Sequence, residues 1–406
     1  MKFSKLSQLF LVSSLGLLVA VLLTACQIVT IDYVFVADSA GTSSGSAGQI
    51  QIFAVDSESG ALRTGATTIA SGGVGPIAMA LTSDYANLYV ANQTSKNVAH
   101  FAIASDGTLT LKDTLALSDT PVALAVNPAN SYLYVLTGTT TATLSEYALS
   151  SGAIATAATT AKPLTLAGYP GDTLAPTALT VLANGSEVYA TLYDQSAYNA
   201  SCSTCVTSTA NPGWVFGFAI GSGGVLTPTN SSPYKAGVRP AGIAADPTNR
   251  FVYVTDYASN QLIGYAIQTT GLLTFMVNGP FKTGNQPNSI AVDPRGEYIY
   301  LANGLDSDVS AYTITQASGT PSAIVNSNAS LLYTTDTQPV SLAIDPALGR
   351  FIYTANHLGN SVSGFRLNPD SGVLTTTQAT PYPTAAYPSA LAIVPHGNHS
   401  LQAVAP

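Results

Sequence analysis

Residues Pro287–Ile314 read PNSIAVDPRGEYIYLANGLDSDVSAYTI. Apolar and polar residues alternate in short runs, and each run is bounded by Pro, Gly, Asp or Asn. The stretch therefore spells strand, turn, strand, loop, strand. Its opening hexamer returns as PIAMAL at Pro76, PVALAV at Pro121, PTALTV at Pro176, PAGIAA at Pro240, PVSLAI at Pro339 and PSALAI at Pro388. Successive prolines lie 45, 55, 64, 47, 52 and 49 residues apart. Strand-only repeats with a period of about 50 residues form radial arrays of small sheets, so the 406 residues are read as one domain.

Within each hexamer the third residue is small (Ala78, Ala123, Ala178, Gly242, Ser289, Ser341, Ala390) and the fourth is large (Met79, Leu124, Leu179, Ile243, Ile290, Leu342, Leu391). On a strand these positions face opposite ways. Small residues suit the crowded axis of a ring, which makes this the innermost strand. A turn follows, written Asn127-Pro128, Asp246-Pro247, Asp293-Pro294 and Asp345-Pro346, where Pro presets the dihedral and Asp or Asn bonds its own backbone. The second strand carries an aromatic in every copy (Phe35, Tyr89, Tyr134, Tyr189, Tyr253, Tyr300, Tyr353), as does the third (Phe53, Phe101, Tyr147, Phe218, Tyr265, Tyr312, Phe365). All fourteen are expected in the core.

The first copy begins at its second strand, Tyr33–Asp38, continues through Gln49–Val55 and ends near Leu62. The last copy holds only a first strand, Ser389–Pro395. Joining these two remnants makes one blade. The expected fold is all-β, a seven-bladed β-propeller of four-stranded antiparallel blades over residues 33–395, closed by the N-terminal strands plus the C-terminal strand. Pairing the termini leaves no free edge at the seam. Residues 396–406, with His396 and His399, read as a polar tail, and His100 lies on a third strand.

Apolar residues make up 46% and charged residues 8% of the chain, whose formal charge is −8. Strand periodicity excludes disorder, and the absence of any basic cluster excludes a phosphate-backbone footprint, so no nucleic-acid partner is expected. Lys2 and Lys5 precede an apolar run from Leu9 to Leu23 and then Thr24-Ala25-Cys26, a secretory signal over residues 1–25 that is short for a membrane span. Without Lys2 and Lys5 the balance is 11 basic against 21 acidic residues, or −10. Leu23-Thr24-Ala25-Cys26 resembles the bacterial lipobox. That resemblance implies acylation of Cys26, a short tether over 26–32 and a body held at a membrane surface by its lipid alone. Gln27 stands where the inner-membrane retention signal usually has Asp, which points to an outer membrane or cell surface with a periplasmic or extracellular body.

The pattern P-x-small-x-A-[VI]-[ND]-P followed by an aromatic strand resembles the YVTN-repeat, lactonase-like seven-bladed propellers. LYVAN at Leu88–Asn92, FVYVTD at Phe251–Asp256, IYLAN at Ile299–Asn303 and IYTAN at Ile352–Asn356 carry the likeness. Some relatives look like 6-phosphogluconolactonases or muconate-lactonizing enzymes, and many are surface or secreted proteins. Enzymatic members often open an inner strand with Gly-Pro-Arg-His. Here Gly75-Pro76 continues as Ile77-Ala78 and Arg239-Pro240 as Ala241-Gly242, and no copy carries the His.

In a propeller the loops leading into the inner strand and those joining strands two and three open on one face, the default ligand site. That mouth gathers Arg239, Gln286, Gln338 and Tyr387 before the inner strands. At and beyond the ends of the second strands it gathers Asp38, Asp256, Tyr257, Asn303, Asn356 and His357. Lactone hydrolysis wants a base for water and a positive group for the oxyanion. His357 and Arg239 fit those roles, with Asp256 orienting the water; the rest are candidate ligand-binding groups. The plainer reading makes the Asn and Asp residues turn-formers and Arg239 a solvated rim charge. Asp306-Ser307-Asp308 supplies two carboxylates without the remaining calcium ligands, so no metal or cofactor is expected. The insertion Ser196–Gly213 carries Cys202 and Cys205, read as a local disulfide in an exported protein.

Two functions remain from the sequence. One is a surface binding platform, a monomer taking a small polar ligand or an envelope protein or glycan. The other is a lactone hydrolase of the 6-phosphogluconolactonase type outside the cytoplasm. The missing inner-strand His favours the first.

Overall fold

The structure, a computed structural model, describes residues 29–39, 47–139, 141–167, 173–195, 212–325, 332–404 and 406. The expected signal segment, Cys26, Cys202, Cys205 and nearly all of the insertion lie outside the described residues.

Seven antiparallel sheets are arranged as blades whose inner strands begin at Pro76, Pro121, Leu174, Pro240, Pro287, Pro339 and Pro388, numbered here 1 to 7. In every blade the inner strand pairs with the second and the second with the third. Blade 7 is composite: Pro388–Pro395 pairs with Thr30–Asp38, which pairs with Gln49–Asp56 and then Leu62–Ala70. Its N-terminal strand starts at Thr30 rather than Tyr33, shortening the expected tether. The fourth strand is continuous in blades 1 and 7 but split into two short pieces in the other five, as in Leu273–Phe275 and Phe281–Lys282. Ser232-Pro233, Gly279-Pro280 and Thr380-Pro381 are cis at such breaks, where Pro cannot donate to the ladder.

The core lies between blades. Each large fourth residue of an inner strand packs on the second-strand aromatic of the preceding blade: Leu124 with Tyr89, Leu179 with Tyr134, Leu342 with Tyr300, Leu391 with Tyr353. Met79 closes the ring against Phe35. The small third residues line the axial channel, a cavity of about 220 Å³. Serine does more there than avoid crowding, because Ser289 Oγ accepts from the Leu342 N–H at 3.1 Å and Ser341 Oγ from the Leu391 N–H at 3.2 Å. A bulge just after the opening proline recurs, for example between Pro76 and Ala78 and between Pro287 and Ser289.

A latch not visible in the repeat pattern ties blade to blade. The buried hydroxyls of Tyr89, Tyr189, Tyr253, Tyr300 and Tyr353 donate to the carbonyls of Gly152, Gly271, Gly319, Gly372 and Gly60 in the next blade, at 2.6–2.8 Å. The acceptor residue takes a left-handed backbone. At Gly319 φ is +72°, and an added Cβ would lie 2.5 Å from Phe251 and Met276, so only Gly fits. Tyr253→Phe leaves the Gly319 carbonyl buried without its donor and is expected to cost about 1–2 kcal/mol. Tyr134, whose hydroxyl reaches no carbonyl of the next blade among the described residues and has Glu146 beside it, should lose less by the same change. Urea unfolding of the two variants checks this, and equal losses would rule the latch out.

Candidate functional site

The strand registers build the mouth. Each opening proline faces the end of its neighbouring second strand: Pro240 faces Asp256, Pro287 faces Asn303, Pro339 faces Asn356 and Pro388 faces Asp38. The residue before the proline then accepts a backbone bond from the residue after the second strand, as in Tyr257 N–H to Arg239, Gly304 N–H to Gln286 and His357 N–H to Gln338. Gln286, Gln338 and Tyr387 reach this geometry with φ of 57°, 58° and 60°. The candidate mouth residues thus share one face, and Arg239 on blade 4 and His357 on blade 6 have blade 5 between them.

Buried polar groups at the strand ends are engaged inside the protein. Asp256 is fully buried; its Oδ2 accepts from the Val238 N–H at 2.8 Å and its Oδ1 from the Arg239 N–H at 2.9 Å. The Ala258 and Ser259 N–H groups approach the same Oδ1 at 3.3 Å. This carboxylate positions the Arg239 loop and has no oxygen directed at solvent. Asn303 donates to Asp308 and Ser310 at 2.7 and 2.8 Å, and Asn356 to Ser361 and Ser363 at 3.0 and 2.9 Å. These amides pin the third strand to the second. In blade 7 the same place holds Asp38, whose carboxylate makes no close hydrogen bond among the described residues and has the Thr384 hydroxyl as its polar neighbour. Burial pushes its carboxyl up to about 7.

Half-buried groups remain at the rim. The Arg239 guanidinium lies over the rings of Tyr257 and Tyr193, 4.6 and 5.2 Å from their centroids, a contact that orients the cation. Lys235 sits 3.6 Å over Trp214 at the neighbouring blade edge. His357 packs at 5.2 Å against Tyr387, and its Nδ1 lies 3.1 Å from the Pro388 carbonyl. A carbonyl can only accept, so Nδ1 carries a hydrogen, and in the neutral ring the lone pair is then on Nε2. The imidazole is therefore in the tautomer a general base needs.

Asp306-Ser307-Asp308 forms a closed turn: Asp306 accepts from the Asn285 N–H and side-chain amide at 2.6 and 2.8 Å, and Asp308 from Asn303. A concavity of about 730 Å³ on the opposite face is lined by Arg295, Arg350 and Arg366. The first two are interblade straps, donating to the carbonyls of Leu348 and Ser57 at 2.7 and 2.9 Å.

His100 lies on the third strand of blade 1, Asn97–Ile103, as expected, and is a buried strut there, 2.7 Å from Asp113 and 2.9 Å from Asn87. His399 is placed differently from the sequence reading: it does not dangle in a polar tail, because Gly397–Leu401 turns back beneath the ring and buries it. Its Nε2 lies 3.1 Å from Asp345 and 3.3 Å from Asp32. The only sequence signal was that Asp32 sits in an apolar strand, where a charge needs a partner.

The sequence matches the family described as lactonase, 7-bladed beta-propeller, over residues 29–123 and 103–403. The chain belongs to that family. No curated protein sequence matches it. Among solved structures it is similar to the Pseudomonas aeruginosa periplasmic gluconolactonase PpgL, with TM-score 0.71 and 16% identity over 90% of this chain and 99% of that one. It is also similar to a Bacteroides fragilis protein provisionally assigned as a 6-phosphogluconolactonase, with TM-score 0.69 and 18% identity over 90% and 98% of the two chains. Hydrazine synthase of Kuenenia stuttgartiensis shares the fold more distantly, with TM-score 0.56 and 15% identity over 82% and 94%. At such identities the likeness establishes the propeller and not a reaction.

Proposed function

We propose that this protein is an envelope-anchored propeller, held through acylated Cys26, whose mouth binds a neutral polar ligand. The observation that carries the reading is the division of labour at the mouth. Asp256, Asn303 and Asn356 are engaged by the fold. Gln286, Gln338, Tyr387, Tyr257, His357 and Arg239 stay half-buried at the rim. Amides, phenols and one imidazole offer hydrogen bonds and stacking surface, which suits a polyhydroxylated or amide-bearing ligand. A phosphorylated sugar would need more than the one cation, Arg239, that stands among these rim groups.

Lactone hydrolysis is the second reading, favoured by family membership and by similarity to PpgL and the Bacteroides protein. In it the lone pair on His357 Nε2 activates water and Arg239 receives the oxyanion, while Asp256 acts only by positioning the Arg239 loop. The test is hydrolysis of neutral and phosphorylated lactones, with calorimetric binding of the same compounds beside it. No turnover, with binding of neutral members weakened by Arg239→Ala, is expected. Turnover that falls about 100-fold or more in both His357→Ala and Arg239→Ala would replace the platform with the hydrolase.

A further inference from the structure

On the face opposite the mouth, three chain segments distant in sequence meet at one buried point. Asp32 lies near the start of the N-terminal strand, Asp345 opens the first turn of blade 6, and His399 comes from the C-terminal turn. Asp32 and Asp345 are 0% exposed and His399 5%. One donor atom from each lies within 4.8 Å of the others.

The hydrogen bonding around the imidazole leaves the Asp32 carboxyl without a partner. The Gln402 side-chain oxygen sits 2.8 Å from Nδ1, so Nδ1 carries a hydrogen and Nε2 is the atom turned toward both carboxylates. A single N–H there could point at only one of them. Asp345 has other partners, the N–H groups of Ala347 and Arg350 at 2.9 and 3.1 Å. Asp32 has no hydrogen bond on either oxygen among the described residues, although it is fully buried. Two carboxyl groups and an imidazole meet in a dry place with both Asp32 oxygens unpaired, and one divalent cation set among them would partner all three at once.

We infer that Asp32, Asp345 and His399 form a structural divalent-metal site, of the zinc class, that ties both ends of the chain to blade 6. Two of the three spacings agree: Nε2 stands 3.1 and 3.3 Å from the two carboxylate oxygens, and the edge of a tetrahedron around zinc with nitrogen and oxygen ligands is about 3.3 Å. The Nδ1–H to Gln402 is the outer contact that fixes a ligating histidine's tautomer and aim. Burial of all three ligands denies substrate access, so the role is to fasten the seam. An imidazole in the set disfavours calcium and magnesium.

The test uses tag-free purified protein, metal analysis and thermal melts with zinc, calcium or a chelator. About one equivalent of bound zinc is expected, with a melting temperature about 3 °C higher at a hundredfold excess over Kd than in chelator. Calcium should give no such shift. Asp32→Asn and His399→Gln should each lose the zinc and its melting shift. A wild-type protein with no bound metal and the same melting temperature in zinc and chelator would overturn the inference and leave a triad held by protons. That outcome does not depend on either variant folding. Zinc retained by both variants would overturn it equally, by placing the metal elsewhere.

Discussion

A chain ending at Tyr387 is expected to lose its cooperative thermal transition and to associate into oligomers. The missing segment contains Pro388–Pro395, the inner strand of blade 7 and the sole backbone partner of the inward edge of Thr30–Asp38. Leu391, Ala392, Ile393 and Val394 are 8% exposed or less. Burying three such aliphatic side chains is worth about 5–9 kcal/mol, comparable with the whole stability of a typical domain. Their loss also uncovers Tyr353 in blade 6 and Phe35 in blade 7 and leaves an unpaired strand edge at the seam, a template for association. Calorimetry with size-exclusion chromatography checks this. A monomeric protein melting cooperatively within about 5 °C of the parent would show that the ring holds without its closure.

Glu146→Gln should stabilise the protein at pH 8 and leave it unchanged at pH 4. In blades 3, 4, 5 and 6 the residue facing the second-strand tyrosine is Gly217, Gly264, Ala311 and Gly364. Blade 2 has Glu146 there, opposite Tyr134. Its carboxylate is fully buried, and among the described residues only the Tyr134 hydroxyl stands near enough to steady its charge. It occupies the space beside Gly224, where an added Cβ would collide with it, and this is the one interface whose second-strand tyrosine makes no latch. Burial pushes the carboxyl from 4.5 up to about 7. A raised carboxyl means the folded state binds the extra proton. The associated stability is complete below about pH 4.5 and is lost as pH rises through 7, amounting to about 2–3 kcal/mol at pH 8. Asp38, raised to about 7 by its own burial, adds in the same direction. Glutamine keeps the shape and removes the charge, so the gain at pH 8 is expected to be about 2–3 °C. An equal shift at pH 4 and pH 8 would sink the electrostatic account.

Much of the mouth was legible because strand pairing carries it. The hexamers marked the inner strands, the aromatic strands gave their partners, and the antiparallel register then placed Arg239, Gln286, Gln338, Tyr387 and His357 on one face. What each side chain does there was not legible. Asp256 and Asn303 look alike in sequence as polar ends of second strands. Only the folded loops reveal that one accepts backbone N–H groups of the loop before Pro240 and the other bonds Asp308 and Ser310.

The amino-acid sequence by itself determined an all-β ring of seven blades, its closure by the two termini and the small-inside, large-between packing of the inner strands. These follow from local alternation repeated about every 50 residues, which a linear reading can count. The tertiary structure alone decided the tyrosine-to-glycine latches, the charge trapped at Glu146 and the meeting of Asp32, Asp345 and His399. The latches and the last of these join residues that share no strand pairing, the last across 54 and 313 positions from Asp345. Burial and hydrogen bonding between such residues depend on how the blades stack, and no periodicity along the chain encodes that.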